Sequence, residues 1–155
     1  MDKDKKMGTP DIILLAEDDE AHAILITRTL EEAGAANKIY RVRDGEEALD
    51  YLFRRGNYAD KGKSPRPGLV LLDLRLPKLD GLDVLNTIKQ SEELKSIPLV
   101  VLTTSDNNED IAQAYRNHAN SYLVKPLGFG EFSGMIRELS TYWLALNRHP
   151  IRGVI

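Results

Sequence analysis

The sequence contains no cysteine, which excludes disulfides and thiolate metal sites and suits a reducing compartment. It lacks any window of the roughly 18 consecutive apolar residues that a membrane-spanning helix requires. Residues 1 to 10 carry Asp2, Lys3, Asp4, Lys5 and Lys6 with no apolar run after a basic one, so they are not a secretory signal and read as a flexible leader. Charge of one sign is not in large excess either. A net charge of -3 and a pI near 5.6 leave no basic field for nucleic acid or an anionic membrane. No internal repeat or low-complexity tract is present. His22, His118 and His149 do not share metal-ligand spacing and are expected on helices or the surface. These absences together lead to the expectation of a soluble, cytoplasmic protein with no nucleic-acid or membrane partner.

What is present is one domain's worth of chain. At 155 residues, with 42% hydrophobic and 29% charged, the protein is long enough for a single substantial core and has an ordinary globular composition. Five short apolar runs, Ile12 to Ala16, Lys38 to Val42, Leu69 to Leu72, Leu99 to Leu102 and Ser121 to Val124, are each followed by a stretch with helical spacing. Most of these runs show no polar alternation, so both faces should be covered, as in a parallel sheet. Right-handed crossovers then predict an open sheet with helices on both faces.

Among the helices, Ala23, Ile26, Leu30 and Ala33 mark the first, with Gly34 as its stop, and Leu82, Leu85 and Ile88 mark the third. The last carries Phe129, Phe132, Ile136, Leu139, Trp143 and Leu146 at spacings of three and four, which predicts one apolar stripe against the sheet. The fourth is poor in apolar residues, with Ile111, Ala114 and Tyr115 behind an Asp106/Glu109 capping-box spacing. Gly56 to Pro67 is expected to be a polar surface loop, and the basic residues near it, Arg54, Arg55, Lys61, Lys63 and Arg66, a solvated face.

Ligands of open α/β sheets bind beyond the carboxyl ends of the strands. Here those ends are all polar: Glu17, Asp18 and Asp19 after the first, Asp73 after the third, Thr103 at the fourth, and Lys125 with Pro126 after the fifth. Like charges at 4 Å repel by roughly 4 kcal/mol at an effective dielectric near 20. A cluster of carboxylates therefore needs a cation, and Mg2+ (or Mn2+) suits oxygen ligands combined with a phosphate. In that setting Asp73 is a candidate nucleophile toward a phosphoryl group, Lys125 a point charge for one phosphoryl oxygen, and the Thr103 hydroxyl a donor to another. Taken singly, each residue has a plainer structural role, and Asp19 is expected to be the N-cap of the first helix. Their joint occurrence at four strand ends favours the site.

The segments Ile13 to Asp19 (ILLAEDD), Val70 to Pro77 (VLLDLRLP) with Asp80 and Gly81, Val100 to Thr104 (VVLTT), and Tyr122 to Pro126 (YLVKP) resemble the response-regulator receiver family. The resemblance spans about residues 11 to 146, leaving 147 to 155 as a tail. It implies a (βα)5, doubly wound, flavodoxin-like (CheY-like) α/β fold whose parallel five-stranded sheet has the order 2-1-3-4-5. It further implies that Asp73 is the phosphoacceptor and a metal ligand. Asp18 would bind the metal directly, Glu17 through water, and Arg75 through its backbone carbonyl. Thr103 and Tyr122 would form the switch that reshapes the face around the fourth helix. Arg75 and Ser105 would border the path of attacking water, and Thr104 would narrow access.

The implied protein is not an enzyme beyond its own phosphoryl transfer and autodephosphorylation. Its partners would be a sensor histidine kinase or a histidine phosphotransfer protein, together with a downstream protein target that the sequence does not name. Because the receiver fills the chain, output is expected through protein contacts, including a homodimer formed by the face of helix four, strand five and helix five. The long loop and the segment Thr141 to Leu144 resemble small regulators paired with phytochrome-type histidine kinases. A haloacid-dehalogenase-type phosphatase would need a second Asp where Arg75 stands. A flavodoxin-like electron carrier would need a glycine- and hydroxyl-rich phosphate loop where the acidic run stands.

Overall fold

Strands β1 (Ile12–Ala16), β2 (Lys38–Val42), β3 (Leu69–Leu72), β4 (Leu99–Thr103) and β5 (Ser121–Val124) alternate with helices α1 (Glu20–Glu32), α2 (Gly45–Phe53), α3 (Gly81–Gln90), α4 (Asn108–Arg116) and α5 (Phe129–Ser140). This computed structural model describes residues 12–34 and 38–150, so the expected leader and the last part of the tail lie outside the described residues. All pairings are parallel, and the sheet order is β2-β1-β3-β4-β5, as expected.

Every residue of β1, β3 and β4 is buried, which is why these strands lack polar alternation. On one face Ile13, Leu15, Leu71 and Val100 meet Ala23, Ile26 and Leu30 of α1 and Phe132, Ile136 and Leu139 of α5. On the other, Leu14, Val70, Leu72 and Val101 meet α2 and α3 through Leu49, Leu52, Val84, Leu85 and Ile88. Each buried Val, Leu, Ile or Phe among these contributes about 1.5–3 kcal/mol of burial free energy. Only Ala114 of α4 is buried, so that helix is held to the core by little apolar contact, as its composition implies.

Local signals set most boundaries. Asp19 caps α1 by accepting from the His22 N–H at 3.0 Å, and Gly34, at φ 65°, turns the chain away after it. Ala33, expected on the apolar stripe, is exposed just beyond the helix end. The expected Asp106/Glu109 box is also corrected. Asn107 is the cap of α4, its side-chain oxygen accepting from Glu109 N at 2.7 Å and Asp110 N at 3.3 Å, and one residue thus satisfies two free N–H groups.

The stripe on α5 is corrected at both ends. Phe129 and Leu146 are 64% and 67% exposed, whereas Leu144, absent from the expected stripe, is buried. After Ser140 the chain enters a π turn, Thr141–Leu146. Its wider i→i+5 bonding shifts which residue faces inward, so Leu144 enters the core while Trp143 stays half-buried beside it.

The expected surface loop at 56–67 is partly built into the fold. It opens with a short 3-10 turn, Gly56–Tyr58, and buries Ser64, whose hydroxyl donates to the Tyr58 carbonyl at 2.9 Å. The buried Tyr51 hydroxyl donates to the Pro65 carbonyl at 2.7 Å. Of the basic residues near the loop, Arg54 donates to the Ser64 carbonyl at 3.3 Å and Arg66 to the Leu52 carbonyl at 2.8 Å, so these two act as staples. Lys61 and Lys63 are exposed, as expected of a solvated face.

Candidate functional site

The chain reverses its direction of growth across the sheet between β1 and β3, which opens a crevice at the carboxyl ends of those neighbouring strands. Glu17 and Asp18 leave β1 there and Asp73 leaves β3. The backbone pairing continues past the strand ends and holds them in place: Glu17 N donates to Val42 O at 3.0 Å, Asp73 N to Ala16 O at 3.0 Å, and Lys125 N to Thr103 O at 2.7 Å. Residues far apart in sequence are thus delivered to one spot by rigid ladders.

Lys125 stands at the centre. Its side chain is 1% exposed, and its ammonium donates to Glu17 Oε1 at 2.5 Å and Asp73 Oδ2 at 2.9 Å. It also lies 3.0 Å from His22 Nδ1. The remaining oxygens are engaged as well, Glu17 Oε2 by Asp19 N at 3.1 Å and Asp73 Oδ1 by Arg75 N at 3.1 Å. Thr103 is fully buried, Asp18 is exposed, and Thr104 is exposed beside Thr103.

One ammonium cannot fully offset two buried carboxylates. Burial pushes Glu17 up to about 7, against the opposing pull of Lys125. Burial acts in the same direction on Asp73, but there the Lys125 ammonium, the Arg75 N–H and the Thr103 hydroxyl prevail and hold the carboxyl below its ordinary range. The same pocket therefore drives its two buried carboxyls in opposite directions, Glu17 up and Asp73 down.

Oxygens of Glu17, Asp18 and Asp73 lie within 4.8 Å of one another. The set fits a hard divalent cation: all its donors are carboxylate oxygens, Lys125 leaves negative charge uncompensated, and exposed Asp18 keeps the site open. The cluster selects Glu17 and Asp18 of the acidic run and omits Asp19, which is occupied as a cap.

Around the rim the Tyr122 hydroxyl donates to the Ser105 carbonyl at 2.8 Å with its ring half-buried, and burial raises its pKa. The Ser105 hydroxyl donates to Asp110 Oδ2 at 2.6 Å, and the same oxygen pairs with Arg75 at 2.7 Å. Two further residues escaped sequence reasoning. His22, expected as a surface or helix residue, points its ring at Lys125 and packs edge-on against Phe132, with ring centroids 5.3 Å apart. Arg41, on edge strand β2, donates to the Glu17 carbonyl at 2.9 Å, the Asp18 carbonyl at 3.3 Å and Glu20 Oε1 at 2.7 Å, bracing the acidic turn. No local signal marks either residue, because both roles depend on strand order.

The response regulator receiver domain family model matches residues 13–137. The probable methanogenesis regulatory protein FilR2 of Methanothrix harundinacea is 51% identical over 91% of this chain and 88% of its own length. The response regulator Rcp1 of Synechocystis is 42% identical over 87% of this chain and 90% of its own. The crystal structure of Mn2+-bound Rcp1 superposes with a TM-score of 0.85 at 40% identity, covering 90% of this chain and 99% of that one. The phosphorylated cyanobacterial phytochrome response regulator RcpA also gives 0.85, at 39% identity over 90% of this chain and 98% of its own.

Proposed function

The chain belongs to the response regulator receiver domain family, and we propose that within it Asp73 is the residue that accepts the phosphoryl group. Receiver domains partner with histidine kinases. Here an Asp73 carboxylate oxygen attacks the phosphorus of a phosphohistidine, a P–O bond forms as the P–N bond breaks, and the imidazole leaves with the bonding pair. Lys125 and Thr103 hold phosphoryl oxygens. Glu17, Asp18, Asp73 and the Arg75 carbonyl would hold Mg2+ (or Mn2+), which supplies neutralisation of the incoming oxygens when bound. Thr103 and Tyr122 act as the switch, carrying the change toward α4.

The observation that carries this reading is the buried Lys125 ammonium bridging Glu17 and Asp73 beside a third carboxylate at the switch point of the sheet. A phytochrome-type histidine kinase, or a histidine phosphotransfer protein, is the donor class to try first, since the similar RcpA is a phytochrome response regulator. Output proceeds through protein contacts in the cytoplasm, with a downstream protein target. A homodimer through the α4, β5 and α5 face is part of the same reading.

Incubation with magnesium and acetyl phosphate should add one phosphoryl group to the wild type and none to Asp73→Asn. Absence of an adduct on the wild type, or an equal adduct on the variant, overturns the assignment.

A further inference from the structure

We propose that His22 is a positioning residue for Lys125, a neutral acceptor that keeps the ammonium in place while the carboxylates beside it engage other cations or ligands. The proposal rests on the reading of Lys125 as the phosphoryl-binding residue and adds a residue to it.

A lysine ammonium has three donors and no acceptor. Here they are directed at Glu17 Oε1, Asp73 Oδ2 and His22 Nδ1, at 2.5, 2.9 and 3.0 Å. Because the ammonium only donates, His22 accepts at Nδ1 and carries its proton on Nε2. Two of the three partners, Glu17 and Asp73, also belong to the carboxylate cluster that fits a divalent cation, and His22 does not. When those carboxylates turn to a cation or carry a phosphoryl group, His22 is the partner that keeps its place. Without it the flexible four-carbon stem would be free to leave the position from which it reaches a phosphoryl oxygen.

The imidazole is itself held. Its ring meets Phe132 at 71° with centroids 5.3 Å apart, and its backbone N–H is bound by the Asp19 side chain at 3.0 Å. With its side chain 25% exposed, little further ordering is needed for it to act. Its neutrality also matters. A carboxylate in its place would bind the ammonium harder and would add negative charge to a pocket that must receive an anion, whereas an imidazole orients without repelling.

The test compares wild type, His22→Phe, which keeps an aromatic ring against Phe132 but has no acceptor, and His22→Asn, whose amide oxygen stands near the position of Nδ1. Binding of beryllofluoride with magnesium, binding of magnesium alone, and the 15N–1H signal of the Lys125 ammonium are measured by NMR. Loss of a charge-assisted hydrogen bond should weaken beryllofluoride binding by His22→Phe about tenfold and broaden the ammonium signal, with magnesium affinity unchanged and His22→Asn close to wild type. Equal beryllofluoride affinity in His22→Phe and wild type overturns the proposal. So does an equal loss in both variants accompanied by a loss of magnesium affinity, which would mark a merely structural role. If the wild type itself binds no beryllofluoride, the phosphoacceptor reading fails first and this inference with it.

Discussion

Arg75 and Asp110 form a 2.7 Å ion pair that ties the loop after β3 to the first turn of α4. Asp110 also takes the Ser105 hydroxyl, and Ser105 in turn receives the Tyr122 hydroxyl on its carbonyl. The loop that follows Asp73 and the side chain of Tyr122 are therefore joined through one carboxylate on a helix that buries only Ala114.

Replacing Asp110 with Ala should loosen α4 without unfolding the protein. Arg75 is 57% exposed, so the pair is screened, and the expected loss of global stability is below about 1 kcal/mol. Amide hydrogen exchange across Asn108–Arg116 should nevertheless speed up, while exchange in β1 and β3 stays as in wild type. Unchanged exchange in α4 would show that the tie does not hold it.

The buried acid predicts an inverse pH dependence. Glu17 is raised from 4.5 to about 7, and a group with a raised folded pKa contributes fully below its unfolded value and loses that contribution as pH rises through the folded one. Asp73, shifted down, works the other way: its contribution is present above its ordinary value of 3.8 and is lost as pH falls. Between pH ~5 and ~8 the metal-free wild type should lose up to about 3 kcal/mol relative to Glu17→Gln, and magnesium should shrink that gap. Urea unfolding of both proteins across this range, with and without the cation, checks it. A pH-independent difference would rule it out.

At Gly45 an added Cβ would lie 2.0 Å from the Leu79 carbonyl oxygen, while Gly45 N donates to the Pro77 carbonyl at 3.1 Å. The start of α2 thus rests directly on the loop that follows Asp73. Gly45→Ala should cost about 1–3 kcal/mol through overpacking, despite the better helix propensity of alanine, and should slow phosphorylation by acetyl phosphate. Gly134→Ala in α5, where nothing lies within 4 Å of the new Cβ, is the control and should stabilise by up to about 1 kcal/mol. Similar effects at the two positions would refute the close-approach argument.

The π turn after α5 is tested by two leucines. Leu144 is buried and Leu146 is 67% exposed. Leu144→Ala should destabilise by about 2–4 kcal/mol and Leu146→Ala by less than about 0.5 kcal/mol in chemical denaturation. The reverse order would restore the uninterrupted helical stripe.

From the sequence alone the five strands, their parallel pairing and the polar strand ends were legible, because unalternating apolar runs and helical spacing are local signals that burial on both faces requires. So were the cap at Asp19 and the turn at Gly34, which depend on neighbours a few residues away. Only the tertiary structure decided which polar groups meet. Lys125 and His22 are 103 positions apart, and Arg41 reaches the acidic turn only because β2 pairs with β1 in a register that sets Leu15 opposite it. It also decided that Leu144 rather than Leu146 turns inward, since the period that sequence reading assumes changes where the helix widens. The identity of the chemical groups was local information, whereas the sharing of one ammonium among Glu17, Asp73 and His22 arises from strand order and register, which no short stretch of sequence encodes.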